Sequence, residues 1–417
     1  MPKQRVLLVE DNKAYRRVLE KELIKQGFRP VVADNLQQTQ SLLQTFEAKE
    51  FLVAVLDYCL PDAENGEVID LVLATGLPVV VMTARMDDQV RDTVLSKPVL
   101  DYIPKDTPFC VDSLMPILRR LRDNADHLVV IADDSKTVRK HLKALLQRQR
   151  LRVLEAENGR EALQLIQQHQ DVSLLITDYY MPEMDGVRLI HELRRAVQNR
   201  VAAIGLSSSN ERSLTAKFLK AGANDFLYKP FHQEEFYCRV NNMLNMIDSE
   251  RRLYHLANTD HLTKCWNRRY FFSHPLACQE NKPRALAVLD IDFFKQINDR
   301  YGHLAGDIVL VEFAANLRKH FPDALVSRFG GEEFCLLFGQ TDQVFERLDA
   351  LREQVAATPF YIGGTPIQFS FSGGLVCAQA DIHDLVQQSD ELLYQAKANG
   401  RNRIVYSDFT LLLADDE

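Results

Sequence analysis

Two stretches of this chain, about 120 residues apart, repeat each other motif for motif. "RVLLVEDNKAYRRVL" at 5–19 matches "HLVVIADDSKTVRKHL" at 127–142, each a strand-like apolar run ending in two acids before a helical pattern. "VAVLDYCLPD" at 53–62 returns as "SLLITDYYMPE" at 173–183, "PVVVMTAR" at 78–85 as "VAAIGLSSS" at 201–209, and "DYIPKD" at 101–106 as "DFLYKPF" at 225–231. The offsets are 123 (Asp11 to Asp134), 121 (Asp57 to Asp178), 124 (Thr83 to Ser207) and 124 (Lys105 to Lys229). This is one domain duplicated. Within each copy apolar strands alternate with amphipathic helices, as Val138, Leu142, Leu145 and Leu146 show at helical spacing. That alternation predicts a doubly wound parallel α/β sheet, in which residues at the carboxyl ends of strands converge. Two or three carboxylates gathered there suit magnesium. One further Asp can accept a phosphoryl group, and a hydroxyl and an ammonium can hold its oxygens.

The ordered set of acids, lone Asp, Thr/Ser and Lys resembles the response-regulator receiver domain, twice. The resemblance implies that Asp57 and Asp178 are phosphoacceptors and metal ligands. Glu10 and Asp11 would complete the magnesium site in the first copy, Asp133 and Asp134 in the second. It implies that Thr83 with Lys105, and Ser207 with Lys229, sense the phosphate, with Tyr102 and Phe226 as aromatic switches. The copies differ. "DYYMPEMDG" has the usual acceptor-to-Gly spacing, whereas "DYCLPDAENG" is one residue longer. Lys229 precedes Pro230, an expected cis peptide, whereas Lys105 precedes Asp106. The second copy is the more orthodox receiver.

At 417 residues the chain has room for about three domains. A net charge of −8 excludes a globally basic nucleic-acid surface, and no basic recognition helix is present. No apolar run reaches the ~18 residues of a membrane span. "MPKQRVLLVEDN" carries no signal-peptide pattern. Seven scattered cysteines without a CxxC pair fit reduced thiols. The expectation is a cytoplasmic protein without membrane or DNA partners.

Gly and Pro are absent from 232–260, and Phe236, Val240, Met243 and Ile247 step as a heptad seam. The last helix of the second copy is therefore expected to run on as a stalk over 232–258, its seam pairing with a second chain.

Beyond the stalk, "ALAVLDID" delivers Asp290 and Asp292 from one strand, and "FFK" follows at a strand-to-helix turn suited to phosphate. Leu310, Phe313, Ala314, Leu317 and Phe321 form the apolar face of a later helix. "SRFGGEEFCLLF" at 327–338 reads as a tight Gly-Gly hairpin whose tip carries Glu332 and Glu333 side by side. Like charges at a tip are tolerated where metal and substrate offset their repulsion. Acids on adjacent strands beside a phosphate-binding turn are the parts of a metal-dependent nucleotidyl-transfer site.

"RFGGEEF", "DIDFFKQINDRYGHLAGD", "TDHLTKCWNRR" and "AKANGRNR" together resemble the GGDEF family of diguanylate cyclases over roughly 259–406. The resemblance implies a phosphorylation-regulated enzyme that condenses two GTP into cyclic di-GMP and two pyrophosphates. Magnesium or manganese would be held by Asp290, the Ile291 carbonyl and Glu332. Glu332 would help deprotonate the attacking hydroxyl and Glu333 would complete the acidic site. Phe293, Phe294 and Lys295 would hold phosphates, Asn298 and Asp307 the guanine edge with His303 nearby, and Lys397 and Arg401 the triphosphate. A sensor histidine kinase or phosphotransfer protein would supply the phosphoryl group, and a homodimer would bring two half-sites together. The family often shows "LTGLxNRR" where this chain has "LTKCWNRR". The inhibitory Arg-x-x-Asp of many members is replaced at 321–324 by "FPDA", so Phe321 and Ala324 stand for the Arg and Asp and no inhibitory product site is expected. The alternative is a catalytically silent GGDEF module that binds GTP or cyclic di-GMP as a receiver-controlled regulator.

The expected fold is thus α/β throughout. Two doubly wound parallel-sheet receiver domains, at 1–124 and 125–247, precede the stalk. An α/β cyclase domain with a mainly antiparallel, palm-like sheet occupies 259–406, followed by a tail at 407–417.

Overall fold

The computed structural model describes residues 4–84, 88–105, 110–197, 201–208, 212–278, 282–362 and 364–408. Arg85, Asp106 and Ser209 of the repeated motifs, and the expected tail beyond Asp408, lie outside them. The chain divides into two compact units, Met1–Asp248 and Ser249–Glu417.

The first repeat runs β1 (Arg5–Val9), α1 (Lys13–Lys25), β2 (Arg29–Ala33), α2 (Leu36–Thr45), β3 (Phe51–Asp57), α3 (Glu67–Leu73), β4 (Val79–Thr83), α4 (Asp88–Leu95), β5 (Asp101–Pro104) and α5 (Cys110–Asp123). The second runs β6 (Leu128–Ala132), α6 (Lys136–Arg148), β7 (Arg152–Ala156), α7 (Gly159–Gln168), β8 (Val172–Asp178), α8 (Gly186–Val197), β9 (Ala202–Ser207), α9 (Arg212–Ala221), β10 (Asp225–Tyr228) and α10 (Gln233–Asn258). Both sheets are parallel, with orders β2-β1-β3-β4-β5 and β10-β9-β8-β6-β7, which are the same winding. The central strands β3 and β8 are buried along their whole length, as strands covered by helices on both faces must be.

Local signals repeat too. Asn35 caps α2 by accepting from the Gln38 amide at 2.8 Å, and Asn158 caps α7 from the Glu161 amide at 2.9 Å. The helix-ending left-handed residue is Gly27 after α1 (φ 89°) but Arg150 after α6 (φ 64°). Arg150 uses the position. Its guanidinium donates to the carbonyls of Phe51 and Leu52 in the first repeat, at 3.2 and 3.4 Å. One apolar cluster runs through both repeats, joining Leu118 and Leu121 of α5 to Leu145, Phe236 and Val240.

That cluster corrects the expected use of the seam. Phe236, Val240 and Ile247 are buried within the first unit and Met243 packs on them, because they cover the sheet of their own repeat and α5 of the other. The exposed large hydrophobic residues of α10 are Leu253, Tyr254 and Leu256, 65%, 52% and 67% accessible.

The second unit contains β11 (Trp266–Asn267), α11 (Arg268–Ser273), β12 (Arg284–Ile291), α12 (Phe294–Tyr301), α13 (His303–His320), β13 (Ala324–Gly330), β14 (Glu333–Phe338), α14 (Val344–Ala357), the hairpin β15 (Phe360–Ile362) and β16 (Thr365–Ile367), β17 (Phe371–Ala378), α15 (Ile382–Ala398) and β18 (Ile404–Asp408). Its main sheet has the order β11-β13-β14-β12-β17-β18. The four central strands are antiparallel and both edge strands add in parallel, so the sheet is mixed. β12 lies inside the sheet and is buried at every residue, which places its last acid at a covered sheet end. Among the described residues no helix is long and apolar enough to cross a membrane.

Candidate active site

In the first repeat Glu10 and Asp57 are buried, and the Lys105 ammonium bridges them at 2.7 and 2.5 Å. Burial pushes both carboxyls above their ordinary range, against the pull of Lys105. Ligand oxygens of Glu10, Asp11 and Asp57 all lie within 4.8 Å of one another. Such a set of hard oxygen donors suits a divalent cation. Thr83 is buried at the end of β4, and its carbonyl accepts from the Lys105 amide at 2.7 Å. Tyr102 is half-buried on β5.

The second repeat repeats the ammonium bridge. Lys229 reaches Asp133 and Asp178, both at 2.6 Å. Burial raises the Asp178 carboxyl; it opposes the charge on Lys229, whose two carboxylate hydrogen bonds nonetheless raise that group. Ser207 and Phe226 are buried, and Lys229–Pro230 is cis. Asp134 is exposed. Among the described residues, the first-repeat trio is the one acidic group gathered within 4.8 Å, so the second repeat holds its three acids more loosely.

The second unit builds a third strand-end cluster. Asp290 pairs across the sheet with Glu333, and Glu332 occupies the turn between β13 and β14. Gly330 (φ 156°) and Gly331 (φ 50°) shape that turn, so its tip is Gly331-Glu332 rather than the Gly-Gly pair. Asp290 is buried and its carboxyl is pushed up to about 6, by burial first and then by the charges of Glu332 and Glu333 against the pull of Lys397. Lys397 holds Asp290 at 2.8 Å. Asp292 does not share this site. It accepts from the hydroxyls of Ser370 and Ser372 at 2.6 and 2.7 Å and from the Asn402 amide at 3.0 Å, tying the loop after α15 to the start of β17.

The chain matches the family described as "Response regulator receiver domain" over residues 6–116 and 129–241, and "Diguanylate cyclase, GGDEF domain" over 257–403. It belongs to the response regulator receiver family and carries a GGDEF domain. Response regulator PleD of Caulobacter vibrioides is 30% identical over 301 residues, which span 66% of this chain and 65% of that protein. Diguanylate cyclase DgcP of Pseudomonas aeruginosa is 44% identical over 124 residues, 28% of this chain and 18% of that one. A crystal structure described as a two-component system response regulator/GGDEF domain protein is 39% identical, with a TM-score of 0.53, covering 59% of this chain and 100% of its own.

The remaining candidates of the GGDEF domain lie around β12 and α12. Phe293 adopts a left-handed backbone (φ 55°) ahead of α12 and lies exposed, with the Arg401 guanidinium 4.5 Å above its ring. Phe294 is core, so only its backbone can face a ligand. Lys295, His303 and Asp307 are exposed. A Cβ on Gly306 would stand 1.9 Å from the Asn298 side-chain oxygen, so glycine is what lets Asn298 lie across α13. The Ile291 side chain is buried. Phe321 is core, edge-on to Phe338 at 5.6 Å, and Ala324 opens β13. Asp323 between them forms a two-point ion pair with Arg347, which holds its carboxyl below the usual range.

Sequence reasoning missed the brace under the turn. Arg328 donates to the Gly331 carbonyl at 2.9 and 2.6 Å and to Asp260 at 2.9 Å, and Asp260 accepts from the Thr263 amide and hydroxyl. An Arg ahead of "FGGEE" and an Asp opening "TDHLT" were both visible, but nothing in their spacing links them. The departure at "LTKCW" also gains a physical meaning: Lys264 sits at φ 61°, the left-handed region that favours the family's glycine.

Proposed function

We propose that the chain is a phosphorylation-controlled diguanylate cyclase that joins two GTP into cyclic di-GMP. The observation that carries this reading is the gathering of Asp290, Glu332 and Glu333 at one sheet end, with Asp290 buried and held at 2.8 Å by Lys397. Carboxylates and the Ile291 carbonyl are hard oxygen donors; burial first, and then the charges of Glu332 and Glu333, raise the Asp290 carboxyl, and a cation would relieve that repulsion. Magnesium or manganese would be held by Asp290, the Ile291 carbonyl and Glu332. When bound, the ion would polarise the α-phosphate and neutralise developing charge.

The chain's own groups carry the rest. Lys397 turns from Asp290 to the triphosphate, joined by Arg401, while the amides at Phe293–Lys295 and the Lys295 ammonium hold phosphate oxygens. Asn298 and Asp307 read the guanine edge beside His303. Glu332 takes the proton of the attacking 3′-hydroxyl; the 3′-oxygen bonds to the α-phosphorus of the GTP on a facing copy, and pyrophosphate leaves. Each domain holds one GTP, so a homodimer is required. Phosphorylation at Asp57 or Asp178, from a histidine kinase or phosphotransfer protein, shifts the population of facing dimers.

The test is incubation of the full chain with GTP and magnesium, with and without beryllofluoride as acyl-phosphate mimic. The expected result is cyclic di-GMP with two pyrophosphates per product, faster with beryllofluoride. GTP that binds but stays intact under both conditions would make the domain a silent nucleotide-binding module.

A further inference from the structure

Asp292 stands between β12 and the turn at Phe293–Lys295 and is 3% exposed. Its Oδ2 accepts from the Ser370 hydroxyl at 2.6 Å and from the Asn402 amide at 3.0 Å, and its Oδ1 from the Ser372 hydroxyl at 2.7 Å. Asn402 follows Arg401 in a loop of uncommon backbone. Gly400, Arg401 and Asn402 have φ of 106°, 61° and 46°, three left-handed residues in succession, two of them carrying side chains. Such backbone persists where its surroundings over-determine it. Four contacts do so here. The Arg401 amide closes on the Ala396 carbonyl at 3.0 Å, and the Arg403 carbonyl accepts from the Gly373 amide at 3.0 Å. Arg352 of α14 donates to the Asn402 side-chain oxygen at 3.2 Å, and Asp292 holds the Asn402 amide. Of the four, the Asp292 contact is the one that comes from the chain entering the Phe293 turn.

That turn meets the same loop a second time, through the Arg401 guanidinium 4.5 Å above the Phe293 ring. Phe293 is itself left-handed, at φ 55°. One buried carboxylate therefore sets the register between two strained pieces of backbone, the turn whose amides face outward and the loop that carries Arg401. We propose that Asp292 is a positioning residue for the triphosphate clamp, acting through Arg401 and not through a metal ion. This rests on the reading of the domain as a GTP site. A guanidinium held at its backbone and stacked on a ring has less freedom to lose when it meets a phosphate, and that gain is lost when the loop is released. The role needs hydrogen-bond acceptance and not charge. An Asn side chain can serve the same three partners: its oxygen replaces Oδ2, and its NH2 donates to Ser372, whose hydroxyl can turn to accept. A metal ligand would not survive that exchange.

The experiment is calorimetry on the full chain with magnesium and two probes. One is guanosine 5′-(α,β-methylene)triphosphate, whose carbon bridge blocks loss of pyrophosphate; the other is GMP, which lacks the outer phosphates. Asp292→Ala should weaken the triphosphate analogue about tenfold while leaving GMP, and manganese titrated without nucleotide, as in the parent. Asp292→Asn should stay within about threefold of the parent for the analogue. In an Arg401→Ala background Asp292→Ala should add no further loss. If Asp292→Ala does not melt cooperatively, Ser370→Ala with Ser372→Ala loosens the same carboxylate and should lower the same ratio of analogue to GMP affinity. Manganese binding lost in both Asp292 variants would make the residue a metal ligand and overturn the proposal. Equal weakening of analogue and GMP, an unchanged analogue affinity, or additive losses with Arg401→Ala would overturn it too. A parent chain that binds neither probe would instead overturn the GTP reading on which the proposal rests, and the proposal with it.

Discussion

The two receivers carry the same pocket of a buried Asp and a bridging Lys, the proposed acceptor, and differ in how they reach the rest of the chain. Asp57 and Asp178 are equally buried at 8% exposure, each beside a bridging Lys, and burial raises both carboxyls. The first receiver gathers its acids more tightly, yet the extra residue before Gly66 goes with a seven-residue α3 where α8 has twelve. The second receiver owns α10. The first only touches it, through Arg120 to Asn245 at 3.2 Å and to Asp248 at 2.5 Å, through Arg91 to Glu234 at 3.4 Å, through the Val99 carbonyl, which accepts from Gln233 at 2.6 Å, and through the shared apolar cluster. Duplicated chemistry with unequal mechanical connection teaches that a receiver's influence should follow its hold on α10, not the quality of its acceptor site.

Under the proposed function that comparison would be read out through the GGDEF domain, so its largest effect comes first. Asp290→Asn or Glu332→Gln should reduce cyclic di-GMP formation by at least about a hundredfold while the melting curve stays cooperative. Near-normal turnover of either variant with magnesium would misplace the site and leave the receivers without a measurable output.

Next comes the ranking itself. Asp178→Asn should remove most of the beryllofluoride stimulation, and Asp57→Asn a smaller part. Arg120→Gln should shrink the Asp57→Asn effect, because it cuts the charged link from α5 to α10 while the Arg91–Glu234 and Gln233–Val99 contacts remain. Equal losses from both acceptors, or an Asp57 effect undiminished by Arg120→Gln, would break the comparison.

A third measurement would separate the proposed receiver metal sites from the proposed GGDEF one by pH. In the double Asp57→Asn, Asp178→Asn background, manganese binding reports the GGDEF site. Its Asp290 carboxyl is pushed up to about 6. Below that value proton and cation compete for the carboxylate, so affinity should fall as pH drops, approaching tenfold per unit, and level off above it. A flat profile from pH 5 to 7 would take Asp290 out of the ligand set.

Much of this was legible because it is local. Strand runs and the order of acids before helices are written within a few residues of where they act. The hairpin was legible to within one residue: φ at Gly330 and Gly331 moved the tip onto Glu332. What the chain hides is partner choice across long separations. The seam Phe236–Val240–Met243–Ile247 reads the same whether it meets a second chain or α5, and only packing decides that it meets the core. Asp292 looks like a twin of Asp290 until Ser370, Ser372 and the Asn402 amide surround it. The Arg328–Asp260 brace spans 68 residues.

The smallest effect tests the contact between the receivers at one residue. Gly27 and Arg150 occupy the same left-handed position after α1 and α6, with matching bonds from Phe28 to Leu23 and from Leu151 to Leu146. A side chain there costs about 1–2 kcal/mol relative to glycine. Nothing lies within 4 Å of a Cβ on Gly27, so Gly27→Arg should meet no clash and lose only that amount. Arg150→Gly would recover the same strain but forfeit the two bonds to Phe51 and Leu52. At 3.2 and 3.4 Å these are long, and burial already lowers the Arg150 pKa from its ordinary value, so their net worth is modest, on the order of 1 kcal/mol together. The two variants should therefore differ in kind. Gly27→Arg lowers the melting temperature measurably, whereas Arg150→Gly leaves stability within about 1 kcal/mol of the parent. If Arg150→Gly stabilises the chain by as much as Gly27→Arg destabilises it, the Arg150 bridge contributes nothing, and the receivers are held without it, by their shared apolar cluster and the contacts to α10.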